Sequence, residues 1–257
     1  MYLAKLLPLV VGCLLVLAFA PGSAADDAQR GFIDRVFKND DGSESKYVLF
    51  IPHDYKGDRP YPAILFLHGA GETGTDGKKQ ATVGLGPAIR KQEKTFPFIA
   101  VFPQSKERTW RADSADGQRA LAILAEVEKQ YKVDPKRVYL TGLSMGGYGT
   151  WSQAIAHPDK WAAIVPICGG AVRPKEENAA EKLKAAAEKI KHIPCWCFHG
   201  DADQAVPVQL SRDMIKALKD AGADPKYTEY PGVGHNSWDR AYGTAELYDW
   251  LLKQHKK

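Results

Sequence analysis

The stretch that decides the fold is residues 138–147, which read VYLTGLSMGG. The apolar residues Val138–Leu140 predict a buried strand, and the residues that follow Gly146 predict the start of a helix. Between them lies the pattern Gly-x-Ser-x-Gly, centred on Ser144. Glycines two positions before and after a serine allow a sharp strand-to-helix turn that exposes the hydroxyl. The stretch predicts Ser144 as a nucleophile, and the alternative is a glycine-rich turn with a passive serine.

Strand-like and helix-like segments alternate on both sides of this turn. The strand-like runs are residues 46–51, 63–67, 98–102, 137–141, 162–167, 195–199 and 226–230, and the helical patterns cover residues 118–131, 176–191, 209–221 and 244–254. This alternation predicts an α/β fold: a mostly parallel sheet with helices on both faces. Right-handed connections place the carboxyl ends of the strands along one edge, where ligands bind. Pro166, inside its run, predicts a bulge or an early strand end.

Composition and charge bound the function classes. The chain has 257 residues, 44% hydrophobic and 26% charged, which is typical of one globular domain. Residues 1–25 combine Lys5, an apolar run and the small residues 23–25, which predicts a secretory signal peptide before a domain at residues 26–257. We expect a secreted or periplasmic protein without stable membrane insertion after cleavage; the alternative is an uncleaved anchor. No dense basic tract accompanies the net charge of +4, so nucleic-acid binding is not indicated.

Three cysteines follow the predicted leader: Cys168, Cys195 and Cys197. A bridge to Cys168 is conceivable in an oxidising compartment. We favour buried thiols, since free cysteine packs as a small hydrophobic residue. The alternation of Cys197 and His199 is not the usual spacing of a zinc site, so no metal is predicted.

Two later strand ends carry the partners that an activated serine needs. His235 follows the last strand between small and polar residues, and residues 199–207 offer Asp201 and Asp203. We favour Asp203 as the carboxylate and expect Asp201 to brace its loop. A serine hydroxyl needs a base to take its proton, and the imidazole needs an anion to fix its tautomer. This chemistry calls for no cofactor.

The tetrahedral intermediate of such a reaction needs hydrogen-bond donors for its oxyanion. One is expected to be the backbone N–H of Met145, which directly follows the nucleophile. The second is expected from residues 68–72, HGAGE, which follow the strand at 63–67. Ala70 is our first choice and Gly71 the second; the alternative is an ordinary tight turn.

Four blocks, at residues 67–72, 141–147, 199–203 and 234–238, together resemble the α/β-hydrolase superfamily. The resemblance covers about residues 31–254. It is strongest to secreted bacterial carboxylesterases near the prolyl-oligopeptidase-like and polyhydroxybutyrate-depolymerase-like groups, with the feruloyl and acetylxylan esterases of carbohydrate esterase family 1 as neighbours. It implies the α/β-hydrolase fold, an N-terminal hairpin over residues 32–52 and a triad of Ser144, Asp203 and His235. The short interval between Cys168 and Cys195 predicts no large cap domain.

The resemblance implies a serine carboxylesterase whose substrate is a small or polysaccharide-linked ester, such as an acetyl or feruloyl ester of a plant polysaccharide. Trp110 and Trp238 are candidates to pack an aromatic acyl group or a sugar ring, and Glu72 to shape the mouth of the site. The alternatives are an oligopeptidase or acyltransferase on the same triad, and a non-catalytic binding module of the same fold. The sequence indicates no particular oligomeric state.

Overall fold

The computed structural model describes residues 29–256, and the predicted signal peptide lies outside them. Eight strands form one sheet in the order β1-β2-β4-β3-β5-β6-β7-β8. The strands are β1 (Gly31–Lys38), β2 (Glu44–Ile51), β3 (Tyr61–Leu67), β4 (Ile99–Pro103), β5 (Val133–Leu143), β6 (Ala163–Ile167), β7 (Trp196–Gly200) and β8 (Lys226–Tyr230). β1 and β2 form an antiparallel hairpin, β2 pairs antiparallel with β4, and the remaining pairs are parallel.

Seven α-helices connect and cover these strands within the described residues. They are α1 (Leu85–Lys91), α2 (Ala115–Gln130), α3 (Met145–Ala156), α4 (Ala179–Ile190), α5 (Gln209–Asp220), α6 (Trp238–Tyr242) and α7 (Ala245–Leu252). Side chains of α2, α3, α4 and α5 join the apolar cluster on one face of the sheet. Side chains of α1, α6 and α7 join the cluster on the other face. The predicted sheet with helices on both faces is confirmed.

β3 shows why its sequence reads as an unbroken apolar run. Ala63, Leu65 and Leu67 belong to the first cluster, whereas Ile64 and Phe66 belong to the second. Successive side chains of a strand point to opposite faces, so a strand covered on both faces needs apolar residues at every position.

The prediction for Pro166 was wrong. β6 continues through Pro166, and its register with β5 is regular, with Gly142 opposite Pro166 and Leu143 opposite Ile167. Proline lacks only an N–H that would face the β7 side. Two positions before it, Ile164 donates its N–H to Pro194, just before β7, and two positions after it, Cys168 donates to Phe198 of β7. As a consequence, few residue pairs join β6 to the β7 side, but β6 itself has no bulge.

The interval between β6 and β7 contains α4 as its only helix, so no cap domain covers the sheet edge there. Sequence reasoning missed the short helices α1 and α6, and it set the other helices to within about three residues of their ends. None of the helices between residues 29 and 256 has the length and apolarity that a bilayer crossing needs. Cys168, Cys195 and Cys197 are free and buried, as favoured.

Candidate active site

Ser144 lies at the turn between β5 and α3 in a backbone conformation that few side chains adopt. Its φ is 53° and its ψ is −116°, and such positive φ values are uncommon outside glycine. Crowding explains the flanking glycines: a Cβ on Gly146 would lie 1.8 Å from the Leu67 carbonyl oxygen, and one on Gly142 would lie 2.4 Å from the Gly146 oxygen. The turn holds because the Ser144 N–H donates to the Ile167 carbonyl at 3.0 Å.

The three residues predicted as a triad lie in one hydrogen-bonded series. Nε2 of His235 is 2.9 Å from Oγ of Ser144, and Nδ1 of His235 is 2.7 Å from Oδ2 of Asp203. His235 is in the loop after β8, and its side chain is 26% exposed, whereas the Asp203 carboxylate is completely buried. The serine hydroxyl therefore faces a solvent-reachable imidazole that is anchored from behind by a buried anion.

Asp203 stays ionised because its loop supplies donors. Burial alone would raise its pKa, but the hydrogen bond from His235 and those from the N–H groups of Val206 and Ala205 outweigh burial, and the net pKa is lowered. Both N–H groups reach Oδ1, at 2.9 and 2.8 Å. Asp201 instead accepts a hydrogen bond from the Gly232 N–H at 2.7 Å, so it links the β7 and β8 loops rather than bracing its own loop as expected.

The loop after β3 is fixed by a buried histidine. Nε2 of His68 accepts a hydrogen bond from the Ser105 N–H at 2.9 Å, so the ring proton lies on Nδ1. Nδ1 then donates to the Gly69 carbonyl at 2.6 Å. Burial lowers the pKa of His68 to about 4, although the bond to Gly69 acts in the opposite direction. The imidazole is therefore neutral, with one tautomer, at neutral pH.

This anchoring orients the expected oxyanion donors. The Gly69–Ala70 peptide is trans, so its N–H points opposite to the carbonyl that His68 holds. Gly69 lies against the nucleophile, since a Cβ there would be 3.7 Å from the Ser144 Cβ. Ala70 and Gly71 begin a short 3₁₀ helix, and Met145 begins α3. The first N–H groups of a helix have no acceptor within it. Among the described residues, the N–H groups of Ala70, Gly71 and Met145 have no hydrogen-bond acceptor.

The prediction that Trp110 lines the substrate pocket was wrong. Its side chain is 1% exposed, packs edge-on to His68 and donates from Nε1 to the His68 carbonyl at 2.9 Å. The loop after β4 turns back into the core at this point, so the indole supports the proposed oxyanion loop, residues 68–72, from beneath and presents no surface to a substrate.

Trp238 and Glu72 lie where a substrate could meet them. The Trp238 indole is partly exposed and stands perpendicular to the His235 ring, with ring centroids 5.3 Å apart. The Glu72 carboxylate lies beside Gly69, with Oε2 3.2 Å from the position that a Cβ there would occupy. Partial burial raises the pKa of Glu72, against hydrogen bonds from its own backbone and that of Gly69.

The sequence did not predict two contacts to the residues of the predicted triad. Cys168 is completely buried at the end of β6, and its Sγ lies within 4.8 Å of ligating atoms of Asp203 and His235. His199, at the end of β7, contacts Asp203 directly. Their positions in the sequence could have indicated these contacts, because both residues lie at strand ends on the edge of the sheet that holds the predicted triad.

An open, mostly parallel sheet with a serine at a strand-to-helix turn, and an aspartate and a histidine after later strands, defines the α/β-hydrolase fold. A family model described as phospholipase/carboxylesterase matches residues 90–248, and the chain belongs to that family. The matched segment contains Ser144, Asp203 and His235 and begins after the oxyanion loop.

Individual relatives agree with this class. The chain is 26% identical over 222 residues to a bifunctional acetylxylan esterase/xylanase of Neocallimastix patriciarum, a match that covers 83% of the chain but only 29% of that protein. It is 25% identical over 212 residues to a probable feruloyl esterase C of Aspergillus niger, covering 78% of the chain and 72% of the relative. The crystal structure of a thermostable esterase superposes with a TM-score of 0.76 at 34% identity, covering 87% of the chain and 63% of that protein.

Proposed function

We propose that the protein is a serine carboxylesterase that works through an acyl-enzyme on Ser144. The observation that carries the proposal is the unbroken hydrogen-bonded series from Ser144 through His235 to Asp203. A hydroxyl at 2.9 Å from an imidazole is within reach for proton transfer. The buried carboxylate stabilises the imidazolium that this transfer creates.

In the proposed reaction, Ser144 Oγ attacks the ester carbonyl carbon while His235 Nε2 takes the hydroxyl proton. The carbonyl oxygen becomes an oxyanion, for which the N–H groups of Met145 and Ala70 are the donors and Gly71 the alternative to Ala70. His235 gives its proton to the departing alkoxide, the C–O bond breaks and the acyl group stays on Ser144. A water molecule, deprotonated by His235, then releases the acid. Acyl and proton transfers complete the cycle, so the proposed reaction calls for no cofactor.

The substrate class follows from the open edge of the sheet. No cap domain covers the described site, so a bulky ester can approach the Ser144 hydroxyl. We propose esters of plant polysaccharides, acetyl or feruloyl, which is consistent with the activities that name the two relatives above. Trp238 offers an aromatic wall beside His235, and Glu72 places an acid beside the oxyanion loop, which disfavours anionic acyl groups. Export by the predicted leader would bring the enzyme to such polymers.

Hydrolysis of p-nitrophenyl acetate tests the proposed chemistry. Ser144→Ala and Asp203→Asn are expected to lower kcat by about 10⁴-fold or more, as triad substitutions do in other serine hydrolases. The matched control is Asp201→Asn, which removes a carboxylate from the same loop and leaves the triad intact. Loss of activity in both aspartate variants alike, or retention in Ser144→Ala, would contradict the proposed roles.

A substrate panel tests the proposed class. Methyl ferulate and acetylated xylan fragments are expected to be cleaved, and peptide p-nitroanilides to be cleaved far more slowly or not at all. Trp238→Ala is expected to raise KM for the feruloyl ester more than for p-nitrophenyl acetate, because only the larger acyl group reaches the indole. Preferred cleavage of the anilides would indicate a peptidase, and transfer of the acyl group to an added alcohol in preference to water would indicate an acyltransferase.

A further inference from the structure

His199 is a completely buried histidine whose ring contacts Asp203 of the proposed triad. Its Nε2 lies 3.1 Å from Oδ2 of Asp203, the same oxygen that accepts from His235, and 3.0 Å from the Val206 carbonyl oxygen. Its Nδ1 lies 2.7 Å from Oγ of Ser211 on α5. The proposed reaction gives this ring no proton to take or release.

The neighbours of the ring determine its tautomer. The Val206 carbonyl oxygen can only accept a hydrogen bond, so Nε2 must carry a proton, and it shares this one N–H between Val206 and Asp203. Burial lowers the pKa of His199, although the bonds to Val206 and Asp203 oppose burial, and the ring is neutral at neutral pH. Nδ1 is then unprotonated and accepts from the Ser211 hydroxyl. The Val206 carbonyl oxygen thus sets the tautomer of His199, and the Ser211 hydroxyl, which can donate or accept, supplies the matching donor at Nδ1.

This donation completes the coordination of the Asp203 carboxylate. Oδ1 is held by two backbone N–H groups, from Ala205 and Val206, and Oδ2 is held by His199 and His235. The two backbone donors both meet Oδ1 and leave Oδ2 to the two histidines. A second donor at Oδ2, from a rigid strand end, fixes the oxygen that His235 Nδ1 must meet.

We infer that His199 is a positioning residue for the reaction: its Nε2–H holds Oδ2 of Asp203 in the orientation that directs His235 toward Ser144. The inference rests on the proposed function, because the role exists only if the triad is catalytic. His199 contacts no substrate, so it acts on kcat and leaves KM unchanged. A neutral donor is required there, since the site must accommodate the positive charge that forms on His235 during the reaction.

The test compares two replacements of the ring. His199→Leu keeps apolar volume and removes the donor, and it is expected to lower kcat by about ten- to a hundredfold, which corresponds to one hydrogen bond to a charged group. His199→Gln keeps a side-chain N–H and is expected to restore most of that loss. KM for p-nitrophenyl acetate is expected to stay within about twofold in both. Equal loss in the two variants, or a loss that lies in KM, would overturn the inference.

A double-mutant cycle separates positioning from a general weakening of the fold. In an Asp203→Ala background the carboxylate is gone, so adding His199→Leu is expected to change the residual kcat by less than about twofold. A further ten- to hundredfold drop in that background would show that His199 acts through something other than Asp203, and would overturn the inference.

Nuclear magnetic resonance of the wild-type protein tests the hydrogen-bond assignment without any variant. Long-range ¹⁵N–¹H spectra are expected to show His199 as the neutral tautomer with its proton on Nε2, and a tautomer with the proton on Nδ1 would overturn the inference. Should the wild type hydrolyse no ester, the proposed function fails, and a correct tautomer in the same sample shows that the site is nevertheless formed as described.

Discussion

Acidification provides a sharp test of the anchor beneath the oxyanion loop. Burial lowers the pKa of His68 to about 4, from an ordinary value of 6.5. In the folded protein the His68 ring does not readily bind a second proton, because Nε2 already accepts from the Ser105 N–H and Nδ1 already carries a proton. The unfolded chain takes up this proton below about pH 6.5. The stabilisation is therefore complete above pH 6.5 and is lost as the pH falls toward 4.

The size of the effect follows from the difference between the two pKa values. Each pKa unit corresponds to about 1.4 kcal/mol, so moving from pH 7.5 to pH 4.5 removes about 2 to 3 kcal/mol of the free energy of unfolding through His68 alone. That amount is a large fraction of the stability of an ordinary domain. The oxyanion loop shares the anchor, so the loss of ester hydrolysis at acid pH is expected to accompany it.

Urea unfolding of the wild type and of His68→Gln at the two pH values measures this contribution. The variant lacks the titrating ring while its side-chain oxygen can still accept from Ser105, so it is expected to lose about 2 to 3 kcal/mol less than the wild type on acidification. Other titrating groups are present in both proteins and cancel in the comparison. His53→Gln, at a partly exposed histidine, controls for the loss of an imidazole. An equal loss in wild type and His68→Gln would show that His68 does not contribute this pH dependence of stability.

Three further outcomes are expected. Gly146→Ala places a Cβ 1.8 Å from the Leu67 carbonyl oxygen and pushes α3 away from the oxyanion loop. We expect kcat to fall by about 10²-fold or more. A variant with normal kcat would show that the helix can shift freely. Trp110→Phe removes the donor to the His68 carbonyl and some buried volume, so calorimetry is expected to show destabilisation by about 1 to 3 kcal/mol. KM is expected to be unchanged. A raised KM would indicate that Trp110 does contact the substrate. A disulfide reagent such as dithionitrobenzoate is expected to modify no buried thiol until denaturant is added. The reason is that burial raises the pKa of each thiol well above its ordinary value. Rapid reaction of these thiols in the native protein would contradict the burial of Cys168, Cys195 and Cys197.

The sequence predicted the features that depend on local pattern and chain order. The turn at Ser144 needs glycines at fixed offsets, and the order of Ser144, Asp203 and His235 follows from strands that end on one edge. Asp203 was preferred to Asp201 by its place further into the loop, and the structure brings Asp203 to His235 while Asp201 braces the neighbouring loop.

The remaining features depend on how loops fold back, which local pattern does not determine. Trp110 follows β4 at the correct edge, but its loop returns to the core and buries the indole beneath His68. Pro166 lies in a regular strand because the N–H that it lacks would face the β7 side and not β5. This can be seen only once the pairing of β6 with β7 is known. His199 meets Asp203 because the loop after β7 turns back, so that the Asp203 carboxylate and the Val206 carbonyl oxygen both reach its ring. The position of His199 in the strand did not predict this contact.

Reaction with a fluorophosphonate, followed by peptide mass spectrometry, tests the central claim that Ser144 is an activated nucleophile. A single modified residue, Ser144, is expected in the wild type. In His235→Ala the modification is expected to be at least about 10²-fold slower, because the hydroxyl has lost its base. Labelling of a different residue, or labelling of Ser144 that is equally fast without His235, would contradict this claim.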